Sequence, residues 1–231
     1  MNKIIRELSR GYSKVTDRFL LTENFYKYQV KYSKIYSNNY NLEKNQFSFV
    51  HAPKTAGTTI NNFLIKNNVN VYRNAHNLIS KKCNPVEYRY ITSIRNPIQR
   101  TKPFYEMQLN NRKLPFHYHS KKGLKLFLSK LKINQNCMCK FIIGDINIDI
   151  NDNMYPKVEE NLKNFWFIID FDNIENDVKK LSEKLNIRFE LEHKGKKYKK
   201  KDEYSEKDNE LIKKHNKYDI KLFNFFKNNL K

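Results

Sequence analysis

The chain has 231 residues, with 45 Lys and Arg against 24 Asp and Glu, for a formal net charge of +21. That length suits one domain with extensions and buries roughly 70% of the extended chain's surface, so the fold needs no disulfide or metal staple. No apolar run approaches the ~18 residues of a membrane span, and Cys83, Cys137 and Cys139 are too few and too odd in number for a disulfide framework.

Sixteen Phe and 15 Tyr supply bulky core material, so the mean hydropathy of −0.84 reflects Lys and Asn rather than a lack of apolar residues. A strongly positive field attracts nucleotides, acidic glycans, nucleic acid or anionic membrane. AT-rich codon usage raises Lys and Asn as well, so charge alone does not choose a partner. Residues 1–21 lack the unbroken apolar region of a signal peptide, and the odd cysteine count fits a reducing compartment. The expectation is a cytoplasmic protein whose basic surface allows peripheral membrane attachment. Cys137 and Cys139 form a C-x-C with no second Cys/His pair at ligand spacing, a poor zinc site.

Residues 1–45 are basic and tyrosine-rich, and read as a partly helical extension to a domain over 46–231. At Phe47 a short apolar run, 47–52, predicts a buried strand stopped by Pro53. Ile60, Phe63 and Leu64 mark a helix, followed by strands over 69–72 and 88–94 and a helix over 98–110. Strand, loop, helix, then strand, turn, helix predicts α/β: a single P-loop-like domain with a central parallel sheet flanked by helices. Further helices are expected at 124–131, 137–143 and 174–185, with a strand at 165–170, a Lys-rich loop at 194–201 and a closing helical segment within 206–229.

Two segments carry chemistry. His51-Ala-Pro-Lys54-Thr55-Ala56-Gly57-Thr58-Thr59 lies at the carboxyl end of a strand, where open α/β sheets bind ligands. Gly57 allows tight turning, the following helix start offers unpaired N–H groups to an anion, the threonines add hydroxyls and Lys54 adds charge. A Walker A loop places Lys directly after its second Gly, whereas Lys54 precedes the loop's only Gly. The second segment, Ser93-Ile-Arg95-Asn-Pro97-Ile-Gln-Arg100, also straddles a strand end and a helix start. Pro97 suits an early helical position, and the Arg95 fork suits a phosphate. Either segment alone fits an ordinary strand-to-helix turn; together they put Lys54 and Arg95 at the same edge of the sheet, where both can reach one anionic ligand.

These segments resemble the family-2 type carbohydrate sulfotransferases, the group of the heparan sulfate 2-O- and 6-O-sulfotransferases. The first is similar to that family's 5′-phosphosulfate loop, H-x-P-K-T-(A/G)-G-T-(T/S), and the second to its 3′-phosphate segment, V-R-(N/D)-P-x-x-R-x-x-S-x-Y. The resemblance runs more loosely to about residue 230 and leaves the N-terminal extension uncovered. It implies PAPS (3′-phosphoadenosine 5′-phosphosulfate) as donor, no metal, and a hydroxyl acceptor, expected on a carbohydrate. The family's membrane-anchored members differ from this chain, which fits a cytoplasmic enzyme acting before export. Pro103 stands where the family has Ser, and offers neither hydroxyl nor N–H; either Thr101 or Arg100 compensates, or cofactor affinity is reduced. Tyr105 keeps the aromatic position.

The resemblance assigns Lys54, Thr55, Ala56, Gly57, Thr58, Thr59 and Arg95 to the donor, with Lys54 also on the leaving phosphate. It places a catalytic base at His76, between the two motifs, where imidazole's ordinary pKa suits proton abstraction. His51 is expected to point along its strand. His117 and His119 are expected at the acceptor cleft or the surface, and compete with His76 for the base. Two other readings stand: a P-loop-like nucleotide kinase, with Asp170 as its only tempting metal-holding carboxylate, and a basic nucleic-acid-binding protein favoured by net charge but lacking a binding motif.

Overall fold

The computed structural model describes residues 36–72, 76–112, 114, 116–192 and 204–231. Five strands form an all-parallel sheet: β1 (Tyr36–Ser37), β2 (Phe47–Val50), β3 (His76–Asn77), β4 (Arg89–Ile94) and β5 (Phe167–Asp170), in the order β1-β3-β2-β4-β5. The helices are α1 (Gly57–Lys66), α2 (Pro97–Asn110), α3 (His117–Lys121), α4 (Leu124–Lys130), α5 (Cys137–Ile143), α6 (Tyr155–Lys163), α7 (Ile174–Leu185), α8 (Glu206–His215) and α9 (Lys217–Asn229).

Period-2 alternation sorts the strand side chains onto two faces. Phe47, Phe49, Ile91 and Ile169 pack with Ile60, Phe63 and Leu64 of α1 and with Val178 and Leu181 of α7. Val50, Tyr90 and Ile94 face the other way, against Met138 and Phe141 of α5, Leu162 of α6 and Leu222 of α9. Parallel sheets require cover on both faces, and these helices supply it. A third apolar cluster joins Phe104 and Tyr105 of α2 to Phe116, Phe127 and Ile212.

From β2 the chain crosses through α1 to one side of the sheet, and from β4 it leads towards β5 on the other. The carboxyl ends of β2 and β4 are therefore neighbours at a topological switch point, where crevices open in such sheets. β4 also runs further: Val50, the last residue of β2, lies opposite Thr92. Ser93, Ile94 and Arg95 thus stand beside the loop that leaves β2.

Three sequence expectations change. The 69–72 strand reduces to one bridge, Val71 to Phe47, and the place beside β2 goes to His76–Asn77, with β1 outside it at the edge. Of the expected extension, residues 1–35 lie outside the described residues. Residues 36–45, however, supply β1 and the buried Tyr40 and Leu42, with the Tyr40 hydroxyl donating to the Leu78 carbonyl at 2.7 Å, so the core reaches back beyond residue 46. The closing segment is two helices that break at Asn216. The expected Lys-rich loop, 194–201, lies outside the described residues.

Candidate functional site

The loop from β2 to α1 is bent by two non-glycine residues in the left-handed region, Lys54 (φ 73°) and Ala56 (φ 64°). Such geometry costs roughly 1–2 kcal/mol per residue and persists only where neighbours over-determine it. Here they do. The Thr55 hydroxyl donates to the Ala52 carbonyl at 2.8 Å, Ser93 Oγ donates to the Thr55 carbonyl at 2.5 Å, and Arg95 Nη1 donates to the Lys54 carbonyl at 2.8 Å. The loop is thus tied to the end of β4 by two residues of the second motif. Ser93 is the member that sequence reasoning did not single out; its one signal is its place at the carboxyl end of the strand, two residues before Arg95.

The turning role expected of Gly57 falls instead to Lys54 and Ala56. Gly57 is the first residue of α1, and its need for glycine is one of space: a Cβ built there would overlap the His51 ring, well inside 3.0 Å of two ring atoms. No side chain caps α1, so its first amides point outward without a local acceptor. Thr58 is exposed, whereas Thr59 and Thr55 are buried. The expected ligand hydroxyl of Thr55 is committed to the loop's own frame.

Burial and the nearby Arg95 guanidinium pull the Lys54 ammonium below its usual pKa, and Glu106 opposes that shift. Glu106, buried on α2 with its carboxylate accepting from the Tyr204 hydroxyl at 3.3 Å, is a second charged group that the sequence reading overlooked. Nothing but its place on α2 would have signalled it. Arg95 lies 3.8 Å over the Phe171 ring, and burial lowers its pKa to about 10, with Arg100 adding to the fall and Asp172 opposing it. It stays cationic at neutral pH.

Arg100 offers no compensation for Pro103. Fully buried, it donates to Asn134 Oδ1 at 2.8 Å, to the Asn134 carbonyl at 3.1 Å and to Asn216 Oδ1 at 3.3 Å, and it lies 3.9 Å from Asp219. Thr101 is likewise buried. Pro103 itself sits inside α2, where it removes the donor for the Gln99 carbonyl.

His76 pairs into β3 one level short of the sheet's carboxyl edge, because its neighbour Asn77 lies opposite Val50. Its ring is 4.7 Å from that of His51 and 6.4 Å from that of Phe141. Burial lowers the His76 pKa to about 4, only partly offset by a hydrogen bond to the His51 backbone; burial, then His76, holds His51 well below the usual range. Both imidazoles are therefore neutral at pH 7. A histidine depressed by folding favours the native state above its unfolded pKa, ~6.5, and that contribution is lost as pH falls through about 4.

The histidine pair on α3 is held elsewhere. His117 Nδ1 is 3.0 Å from the Gln108 carbonyl, and His119 is buried with its ring near Phe116. Asp170, fully buried at the end of β5, accepts from Lys227 Nζ at 2.6 Å and also from Lys231 Nζ, and these partners hold its pKa down against the effect of burial. Among the described residues no three His, Cys, Asp or Glu side chains group as metal ligands, and no helix is long and apolar enough to cross a membrane. The three cysteines are buried thiols, with Cys137 pushed up to about 11 by burial. A depression of about 380 Å³ between the 79–86 loop and α6 shares no residue with the β2–α1 loop.

Fold and site define an α/β protein whose parallel sheet joins two basic residues, Lys54 and Arg95, at its switch point. Compared with known proteins, the chain matches no family model and no curated sequence.

Proposed function

We propose that this α/β protein has a single P-loop-like domain and is a sulfotransferase that moves a sulfuryl group from PAPS to an acceptor hydroxyl, on a carbohydrate by the family resemblance. One observation carries the reading: Arg95 holds the Lys54 carbonyl at 2.8 Å beside the uncapped start of α1. The cations of both motifs thereby share one edge of the sheet. Lys54, the backbone of Thr55 and Ala56, the amides of Gly57, Thr58 and Thr59, and the Thr58 hydroxyl would hold the 5′-phosphosulfate. Arg95 would hold the 3′-phosphate, stacked on Phe171 and without help from residue 103.

Bound PAPS supplies an activated sulfuryl group on a phosphate leaving group. The chain supplies position and charge, as in phosphoryl transfer. Lys54 neutralises the oxygen that gains charge, and His76 accepts the acceptor's proton on a ring nitrogen. With His76 titrating at about 4, its acid limb should fall near that value rather than near the ordinary imidazole range.

The kinase reading needs Asp170 for a metal, and two lysines already occupy that carboxylate. The nucleic-acid reading rests on net charge alone. Transfer of labelled sulfate from PAPS should be assayed over a panel of glycans and small hydroxyl compounds, with duplex DNA binding measured at physiological salt in parallel. Sulfate transfer onto a glycan hydroxyl is the expected result. Salt-sensitive DNA binding with no sulfate transfer would overturn the reading.

A further inference from the structure

His51 takes no part in the chemistry proposed above, yet it touches both halves of the site. Its side chain leaves the end of β2 on the face of Phe49, whose ring it stacks on at 4.6 Å and 14°. Its outer edge lies against Gly57, so closely that no Cβ fits between them. Its other neighbour is the His76 ring at 4.7 Å, and it is itself 3% exposed. One imidazole thus fills the space under the first turn of α1 and covers the ring of the expected base.

We propose that His51 is a positioning residue that joins the donor cradle to the base: its ring sets the height of the first turn of α1 and keeps water from His76. The functional consequence rests on the sulfotransferase reading; the packing itself does not. Close-packed interiors respond to changes of one or two carbons. Emptying the ring's space lets α1 settle, and forcing a methyl against the ring lifts it. A cradle that recognises phosphate through backbone amides loses affinity either way, because amides cannot re-aim independently of the helix. The rings of His51 and Phe141 lie against His76, and the His51 backbone, which survives truncation of the side chain, hydrogen-bonds to it. Removing the His51 ring therefore hydrates His76 without removing a charge that is present at neutral pH.

A size-swap cycle tests this in the full chain. His51→Ala, Gly57→Ala and the double variant are compared for PAP binding by calorimetry, for thermal stability without ligand, and for His76 titration by NMR of the ligand-free protein. Each single variant is expected to weaken PAP about tenfold or more. The double variant should bind no worse than His51→Ala, because the added methyl enters the vacated ring space; coupling of this kind marks residues in direct contact. The His76 midpoint should rise from about 4 by about one unit or more towards its ordinary value in His51→Ala.

If His51→Ala does not fold, His51→Gln, which keeps polar bulk but not the planar ring, is expected to give the same upward titration. Losses that simply multiply in the double variant, or a His76 midpoint that stays at about 4 once the ring is gone, would overturn the proposal. If wild-type protein binds no PAP, the sulfotransferase reading fails, while the stability cycle and the His76 titration still decide the role of His51.

Discussion

Helices α1 and α2 both begin where a parallel strand ends, side by side in the sheet, yet their first turns are finished differently. In α2 the Asn96 side chain accepts from the amides of Ile98 at 2.9 Å and Gln99 at 3.4 Å, and Pro97 has no amide to satisfy. In α1 the residue at the cap is Ala56, in a left-handed conformation and with no side-chain acceptor. One helix start is closed by its own sequence and the other is left open. A strained, uncapped turn costs stability, and here the strain is held by hydrogen bonds from Ser93 and Arg95. On the proposed reading, anion recognition would come from what the chain omits at α1 as much as from the lysine it adds.

The two arginines of the second motif make the same contrast. Arg95 stands at the sheet edge with aromatic backing, whereas Arg100, five residues on, is fully buried in a network with Asn134, Asn216 and Asp219. That network closes a reciprocal cap. Asp219 accepts from the amides of Met138 and Cys139 at the start of α5, and Asn136 Oδ1 accepts from those of Tyr218 and Asp219 at the start of α9.

The largest expected effect follows from breaking that buried network. Arg100→Ala should destabilise the protein by about 3–5 kcal/mol, because it leaves the Asp219 carboxylate buried without its cation; denaturant unfolding measures it, and a loss below about 1 kcal/mol would mean that Asp219 is protonated in the native state. Next is Lys54→Ala, which should lower kcat by ~10²-fold or more with a smaller change in PAPS affinity. A raised KM with normal turnover would assign Lys54 to ground-state binding. Asn96→Ala should cost about 1 kcal/mol of stability, as capping losses do, while PAP affinity stays within about threefold, since the closed helix start is not the one that binds.

Much of this was legible in the sequence. The helices at 137–143 and 174–185 agree with the structure residue for residue, because apolar periodicity and an ending at Gly144 or Asn186 in the left-handed region are local signals. The pairing of Lys54 with Arg95 was also legible, since two strand-end motifs in parallel strands must share an edge. What was not legible is non-local. Val69–Tyr72 has strand composition but makes one bridge, and the place beside β2 is held by a two-residue strand that carries His76. The break at Asn216, the burial of Arg100 and the contact of His51 with Gly57 each depend on partners distant in sequence or on the opposite side of a loop, and no spacing announces them.

The open helix start and the edge arginine are tested together by one measurement: calorimetry of PAP and ATP against the wild-type protein and Arg95→Ala. The account predicts that wild type binds PAP more tightly than ATP, and that Arg95→Ala weakens PAP by about 2 kcal/mol and ATP by less, because both lose the tie to the Lys54 carbonyl but only PAP loses a charge-assisted pair to its 3′-phosphate. Equal or tighter binding of ATP by the wild type, or PAP binding untouched by Arg95→Ala, would contradict it.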